Sequence, residues 1–201
     1  MEIDISKAIE KIRTAIDDVK GTLDDDFASD IDLELAQALR HSVESLLMEL
    51  PPMLIEPSIQ TAASSTAGND GAYVTLKSDF LRFLDLTVSG WKRTIYELIE
   101  AGSDEEKMQR SKWGRGTNTK PKAMLDTDAS GKRILRFWPG SSESAVTALS
   151  YVPTASEADG KITCALRAET EKNIIYRAAS IFLESKKEGE LADKFKQLST
   201  M

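Results

Sequence analysis

The chain has 201 residues, a hydrophobic share of 41%, one cysteine and a formal net charge of −7. That length suits one domain or one domain with a sizeable insertion, and that apolar content is too high for a disordered chain. No apolar run approaches the roughly 18–20 residues that cross a bilayer. No basic-then-apolar leader opens at Met1-Glu2-Ile3, so the chain is expected to stay in the cytoplasm where it is made. A single Cys excludes an internal disulfide.

In chain order, Ile5, Ile9, Ile12, Ile16 and Val19 recur at spacings of four and three and predict an amphipathic helix over 5–19. Isoleucine is a middling helix former, so burial of that stripe must stabilise the helix more than propensity does. Gly21 breaks it, and Asp24-Asp25-Asp26 reads as a solvated turn. A second helix is predicted from Ser29 or Asp30, either of which can cap free amides. Its apolar face is Leu35, Leu39, Val43, Leu46, Leu47 and Leu50, and Pro51-Pro52 ends it. His41 falls between face positions, as a surface or boundary residue does. Met53-Leu54-Ile55 is expected to pack on the helices. Residues 61–72, rich in Ser, Ala, Thr and Gly, read as a loop connector.

Strands are predicted from Tyr73 onward. Tyr73 to Leu76 is short. Arg82 to Val88 alternates Leu84, Leu86 and Val88 against Phe83, Asp85 and Thr87. Gly90-Trp91-Lys92-Arg93 reads as a turn, and Thr94-Ile95-Tyr96 continues extended. Ser103-Asp104-Glu105-Glu106 has the capping-box pattern, which predicts a short helix to about Ser111. Lys112 to Lys120 has no regular signal and reads as an exposed basic loop. Strands at Lys122–Leu125, Arg133–Trp138 and Ala145–Val152 follow, joined by turns at Asp126–Gly131 and Pro139–Ser142, and this meander reads as antiparallel. After a polar link, Ile162–Arg167 is either a strand or an extended approach. A closing helix carries Ile174, Ile175, Ala178, Ile181 and Phe182 on one face, fades near Gly189, and precedes a short helix at Glu190–Leu198. The expected architecture is α+β: a helical bundle from residues 1–60 and 160–201, with an antiparallel β-rich insertion at 73–153. There is no internal repeat.

Catalytic chemistry finds little footing. The solitary Cys164 sits among Ile162, Ala165 and Leu166 and reads as a small buried hydrophobe, and the sole histidine lies far away in a helix. Gly114-Arg115-Gly116 lacks the spacing and strand-to-helix context of a phosphate loop. Asp24-Asp25-Asp26 lacks the alternating ligands and glycine of a calcium loop. The serines have no accompanying base. No enzyme activity, metal or cofactor is expected.

Charge is the positive signal. From Lys107 to Arg136 there are nine basic residues and two acidic ones, a segment at +7 against −14 for the remainder. Such asymmetry speaks of partners rather than fold. One reading is contact with nucleic acid or an acidic protein, the cations neutralising phosphates and Trp113 stacking. The plainer reading is a solvated loop whose charges balance acidic helices of a neighbouring copy, and composition favours it because base-reading motifs are absent. Trp138, beside Phe137, reads as core. Trp91 and Trp113 sit in turn or loop positions and read as interface residues. The interface candidates are Trp91, Lys92, Arg93, Arg110, Lys112, Trp113, Arg115, Lys120 and Lys122.

The run Val74-Thr75-Leu76-Lys77-Ser78-Asp79-Phe80-Leu81-Arg82 resembles the entry to the β insertion of head-to-tail adaptor proteins of tailed bacteriophages, where it follows two N-terminal helices. Trp91-Lys92-Arg93, Tyr96-Glu97-Leu98-Ile99, the basic Arg110–Lys122 loop, Leu135-Arg136-Phe137-Trp138-Pro139 and Leu149-Ser150-Tyr151-Val152-Pro153 are similar to adaptor or neck-ring proteins of short-tailed phages, the crAss-like type among them. The closing helix with Ile174-Ile175-Tyr176-Arg177 stands in the expected place. The motifs are loose, since none is a catalytic signature, and they span about residues 5–185. The resemblance implies a structural virion protein assembled in the host cytoplasm. It implies a homo-oligomeric ring, commonly of twelve copies, seated between the portal protein and downstream tail or ring proteins, with DNA passing non-specifically through the channel. Reversing Lys112, Arg115 and Lys120 to Glu is then expected to abolish docking and leave the fold. The alternative from another class is a DNA-packaging factor like a small terminase subunit, which predicts salt-sensitive DNA binding and a helix-turn-helix that the sequence does not display.

Overall fold

A computed structural model describes residues 1–20, 28–61, 66–68, 71–111, 113–141 and 144–199. The Gly21 break, the Asp24-Asp25-Asp26 turn, Lys112 and Ser142 lie outside the described residues, as do the side chains of Val19, Ser29 and Asp30. The fold is α+β, with antiparallel sheets and helices at both chain ends. The chain divides into two compact units, one formed by residues 1–56 with 154–201, the other by residues 57–153.

The first unit is built on four helices: α1 (Ile5–Lys20), α2 (Ala28–Glu49), α4 (Glu171–Ser185) and α5 (Gly189–Leu198). Helix α4 packs on each of the other three. In α1 the buried stripe is Ala8, Ile12 and Ile16, while Ile5 and Ile9 are half-buried, so the apolar seam runs along one i, i+4, i+8 line. In α2, Leu35, Leu39, Val43, Leu46 and Leu47 are buried, and Leu50 is half-buried next to the ending prolines. In α4, Ile174, Ile175, Ala178, Ala179, Phe182 and Leu183 are buried, whereas Ile181 is half-buried. Buried hydroxyls satisfy themselves on backbone acceptors: Ser42 Oγ donates to Ile174 O at 2.9 Å, and Ser180 Oγ donates to Ala192 O at 2.9 Å. Arg177 donates to Ser45 Oγ and Glu49 Oε1, both at 3.0 Å, bracing α4 against α2.

Three short strands also belong to this unit: β1 (Glu2–Asp4), β9 (Ser156–Ala158) and β10 (Lys161–Thr163), in the order β1-β10-β9 and antiparallel throughout. The polar link after Pro153 is thus a hairpin, turned by Asp159 and Gly160 at positive φ. Only Ile162 is buried in β10, and a three-residue strand with one buried residue leaves no alternation to read. Past the hairpin, Leu166 forms an isolated antiparallel bridge to Ile55, so 162–167 is a strand followed by an extended approach. Of the apolar triplet after α2, Ile55 is buried and Met53 is exposed. Cys164 is buried, and its carbonyl accepts the Met1 amine at 2.6 Å.

The second unit holds two sheets, with strands β2 (Ser58–Gln60), β3 (Thr66–Gly68), β4 (Gly71–Thr75), β5 (Phe80–Val88), β6 (Lys122–Thr127), β7 (Arg133–Trp138) and β8 (Val146–Pro153). One sheet runs β2-β8-β5, the other β3-β4-β7-β6. Two strands, β2 and β3, arise where no strand was expected; each is an edge of three residues, too short to carry a periodic signal. Both sheets contribute to one core, with Ala72 and Val74 from β4, Phe80 and Leu86 from β5, Phe137 from β7, and Leu149 and Tyr151 from β8. The alternation of β5 is interrupted. Register shifts at Phe80/Arg82, Phe83/Asp85 and Thr87/Val88 change its phase, so Phe80, Leu86 and Val88 are buried while Leu84 is half-buried. Strand β7 has core on both faces: Leu135 and Phe137 face the shared core, and Trp138 joins Met124 and Ile99 in a second cluster.

Candidate interaction surface

The surface that gathers most of the sequence candidates grows out of that second cluster. Ile99 N donates to Ala123 O at 2.9 Å, laying the 97–100 segment along β6, and Ile99 packs with Met124 and Trp138. The chain then turns at Gly102 into α3 (Asp104–Gln109). Ser103 Oγ accepts from Glu106 N at 3.2 Å, as the capping pattern predicts, but Glu106 reaches back to the N–H of Gly102 at 2.6 Å, one residue upstream of the cap. That N–H, with Arg110 beside it, holds the Glu106 carboxyl below the ordinary glutamate range. The helix ends at Gln109, two residues sooner than expected.

Gln109 is the residue that shapes the basic loop, and it is 3% exposed. Its side-chain amide donates to Glu105 O at 3.0 Å and its Oε1 accepts from Gly116 N at 2.8 Å. Its backbone carbonyl accepts from Arg115 Nε at 3.0 Å. Gly114 and Gly116 lie tight against the frame: a Cβ at Gly116 would stand 2.7 Å from Trp138 O, and one at Gly114 would stand 2.9 Å from Met108 O. Past Gly116 the chain closes on itself, Thr117 and Lys120 exchanging backbone hydrogen bonds at 3.1 and 2.9 Å. A loop without secondary-structure signal is thus pinned at several points.

The Gly90 turn is brought to the same place. Lys92 N donates to Asn118 O at 2.8 Å, tying the 90–93 turn to the basic loop. Lys92, Arg93, Arg110, Trp113 and Lys120 are exposed there. Trp113 is 92% exposed, with Tyr96 at 70% and Met108 at 57%. Exposed Trp, Tyr, Met and Arg are the residue types enriched where proteins meet. Carboxylates are interleaved: Lys107 pairs with Asp104 at 2.8 Å, Arg110 with Glu106 at 3.4 Å and Lys122 with Glu105 at 3.4 Å.

Three candidates behave differently from expectation. Trp91 is half-buried; its Nε1 donates to Pro139 O at 3.0 Å and its ring stands edge-on to Phe137 at 5.7 Å, so it belongs to the core margin rather than to a free interface. Arg115 is half-buried and structural through Gln109, so reversing it would unsettle the loop. Lys122 is half-buried on β6. Lys112 lies outside the described residues. Tyr96, Met108 and Gln109 were not singled out in the sequence. Met108 carried a usable signal, since an apolar residue alone in a six-residue polar helix has no stripe to join. Gln109 carried none, because its role depends on the path of the next seven residues.

Among the described residues, no three His, Cys, Asp or Glu side chains converge as metal ligands, and no helix is long and apolar enough to cross a membrane. The second unit carries 13 basic and 11 acidic residues, and the first carries 13 basic and 22 acidic, so the acidity of the chain resides in the helical unit at −9. In comparisons with known proteins, no family model matches the chain and no curated protein matches it.

Proposed function

We propose that the chain is a structural virion protein, a head-to-tail adaptor whose copies form a ring between a portal and the tail and through which DNA passes. What carries the reading is the pinned loop that holds Trp113 at 92% exposure, with Arg110 and Lys120 exposed on the same stretch and the exposed Lys92 and Arg93 on a turn tied to it at Asn118. A loop backbone held by hydrogen bonds has little further main-chain freedom to lose on docking, so the surface suits a protein contact. The motif resemblance supports it, as does the order of elements, with two helices ahead of a β unit and two after it. Acidity concentrated in the helical unit suits a channel wall, because like charge keeps DNA from adhering. The β unit supplies the docking loop for an acidic protein surface.

The test is the mass of the purified protein in solution, alone and then mixed with a candidate portal. A ring alone, or a monomer that becomes a ring on the portal, supports the adaptor reading. A monomer that ignores the portal and binds DNA in low salt replaces it with the packaging-factor reading.

A further inference from the structure

We infer that the Trp113 loop takes a short acidic peptide segment of another protein, one that sets an apolar side chain between carboxylates. The inference rests on the docking role given to this loop above and names the chemistry of its occupant. The cations of the surface fall into two groups. Lys107, Arg110 and Lys122 are each paired with a carboxylate of α3, at 2.8, 3.4 and 3.4 Å, so they bring no net charge to a partner. Lys92, Arg93 and Lys120 are exposed and form no ion pair among the described residues. These three stand close together. Lys92 N donates to Asn118 O at 2.8 Å, inside the turn that Thr117 and Lys120 close with their backbone bonds. Neither stretch that supplies them, 90–93 or 110–122, contains an Asp or a Glu.

An apolar part adjoins the cations. A Cβ on Gly114 would lie 3.0 Å from Met108 Cβ, so the chain passes Met108 as it leaves Trp113. Both side chains are exposed, Met108 at 57% and Trp113 at 92%. From Trp113 to the Thr117 turn the chain reaches at most about 14 Å, and an extended peptide of about six residues spans that distance. One short segment can therefore cover Trp113 and place carboxylates on Lys92, Arg93 and Lys120. The carboxylates of the neighbourhood decide against a nucleic acid. Asp104, Glu105 and Glu106 stand on α3, and the exposed Glu97 and Glu100 precede it. A duplex carries a negative charge about every 1.7 Å of its axis, so it would bring phosphates to α3 as well as to the cations. A peptide can end before α3, and its apolar side chain removes Trp113 and Met108 from water, which a phosphate backbone does not.

Fluorescence anisotropy on the full chain tests this with three labelled probes: a short glutamate peptide with a central leucine and phenylalanine, an all-glutamate peptide of equal length, and a short DNA duplex. The first is expected to bind most tightly, the second at least about tenfold more weakly, and both to weaken as salt rises. Lys92→Gln with Lys120→Gln is expected to lose about tenfold for the first probe. Lys107→Gln with Arg110→Gln removes the same net charge and is expected to stay within about twofold of wild type. Trp113→Ala is expected to abolish the preference for the first peptide over the second. All these positions are exposed, and circular dichroism checks that each variant folds. Equal losses in the two double variants, equal affinity for the two peptides, or tighter binding of the duplex overturns the proposal, the last in favour of a nucleic acid. The adaptor reading fails separately. A chain that binds the first peptide as expected but forms no ring, alone or on the portal, overturns that reading and leaves this contact. A chain that forms a ring on the portal but binds neither peptide overturns this contact and leaves the ring, and a chain that does neither overturns both.

Discussion

Two tryptophans a few residues from turns illustrate how differently the same side chain can be used. Trp91 donates to Pro139 O and stacks edge-on to Phe137, so Trp91→Ala removes a hydrogen bond and a packed ring together. It should lower stability by about 2 kcal/mol, less than for a fully buried aromatic. Trp113→Ala should stay within about 0.5 kcal/mol of wild type, because its ring meets water. Urea unfolding of both variants decides it; equal losses would contradict the division between core margin and docking surface. Cys164 makes a second prediction. Burial pushes its thiol above the ordinary range, so the folded chain keeps the proton where the unfolded chain releases it. Its contribution to stability is fully present below the ordinary thiol value, about 8.5, and fades as pH rises through the raised value. Alkylation at pH 8 should be slow in the native protein and fast in urea, and Cys164→Ala should flatten the alkaline fall in stability. A native thiol that reacts as fast as free cysteine would contradict the burial.

At the scale of the element, α3 and its loop behave as one piece. Six residues are too few for a helix to persist on propensity alone, so the Ser103 cap and the anchoring of Ile99 on Met124 and Trp138 must supply the stability. Gln109 then fixes the loop through three hydrogen bonds. Gln109→Leu keeps the volume but leaves Gly116 N–H unsatisfied, and should cost about 1–3 kcal/mol. Amide exchange at Gly116 should rise in that variant while exchange at β7 stays slow. Unchanged protection at Gly116 would show that Gln109 does not shape the loop. The Ser103 cap was legible from the sequence because it is local, while the bond of Glu106 to Gly102 in place of the cap residue was not. The breaks in β5 were not legible, since the register shifts arise from pairing with β8, far downstream in sequence.

At the scale of the molecule, the helical unit is discontinuous in sequence. Helix α4 packs on α1, α2 and α5, yet it is made more than a hundred residues after α2. A chain truncated after Pro153 should therefore lose the helical signal of α1 and α2, whose buried Ile12, Ile16, Leu39 and Val43 would be exposed to water. The β unit should survive, because both its sheets share a core drawn entirely from residues 57–153. Circular dichroism for the helices and tryptophan emission for the β unit, which holds Trp91, Trp113 and Trp138, separate the two outcomes. Retained helicity in the truncated chain would show that α1 and α2 form a stable pair without α4.

By itself the sequence determined the class of the fold, the main helices, the antiparallel meander and the uneven charge. Each rests on a local pattern: a 3.6-residue stripe, an alternation, a proline stop or a run of lysines and arginines. Only the tertiary structure decided the three-stranded sheet made by β1, β9 and β10, the edge strands β2 and β3, and the separation of Trp91 from Trp113. Three-residue strands pair because distant backbone lies alongside them, and a tryptophan is core or interface according to what packs over it. The docking loop shows both sources at once. Its composition is written in the sequence, while its shape comes from contacts that form only when the chain has folded, of Gln109 with Gly116, of Asn118 with Lys92 and of Gly116 with Trp138.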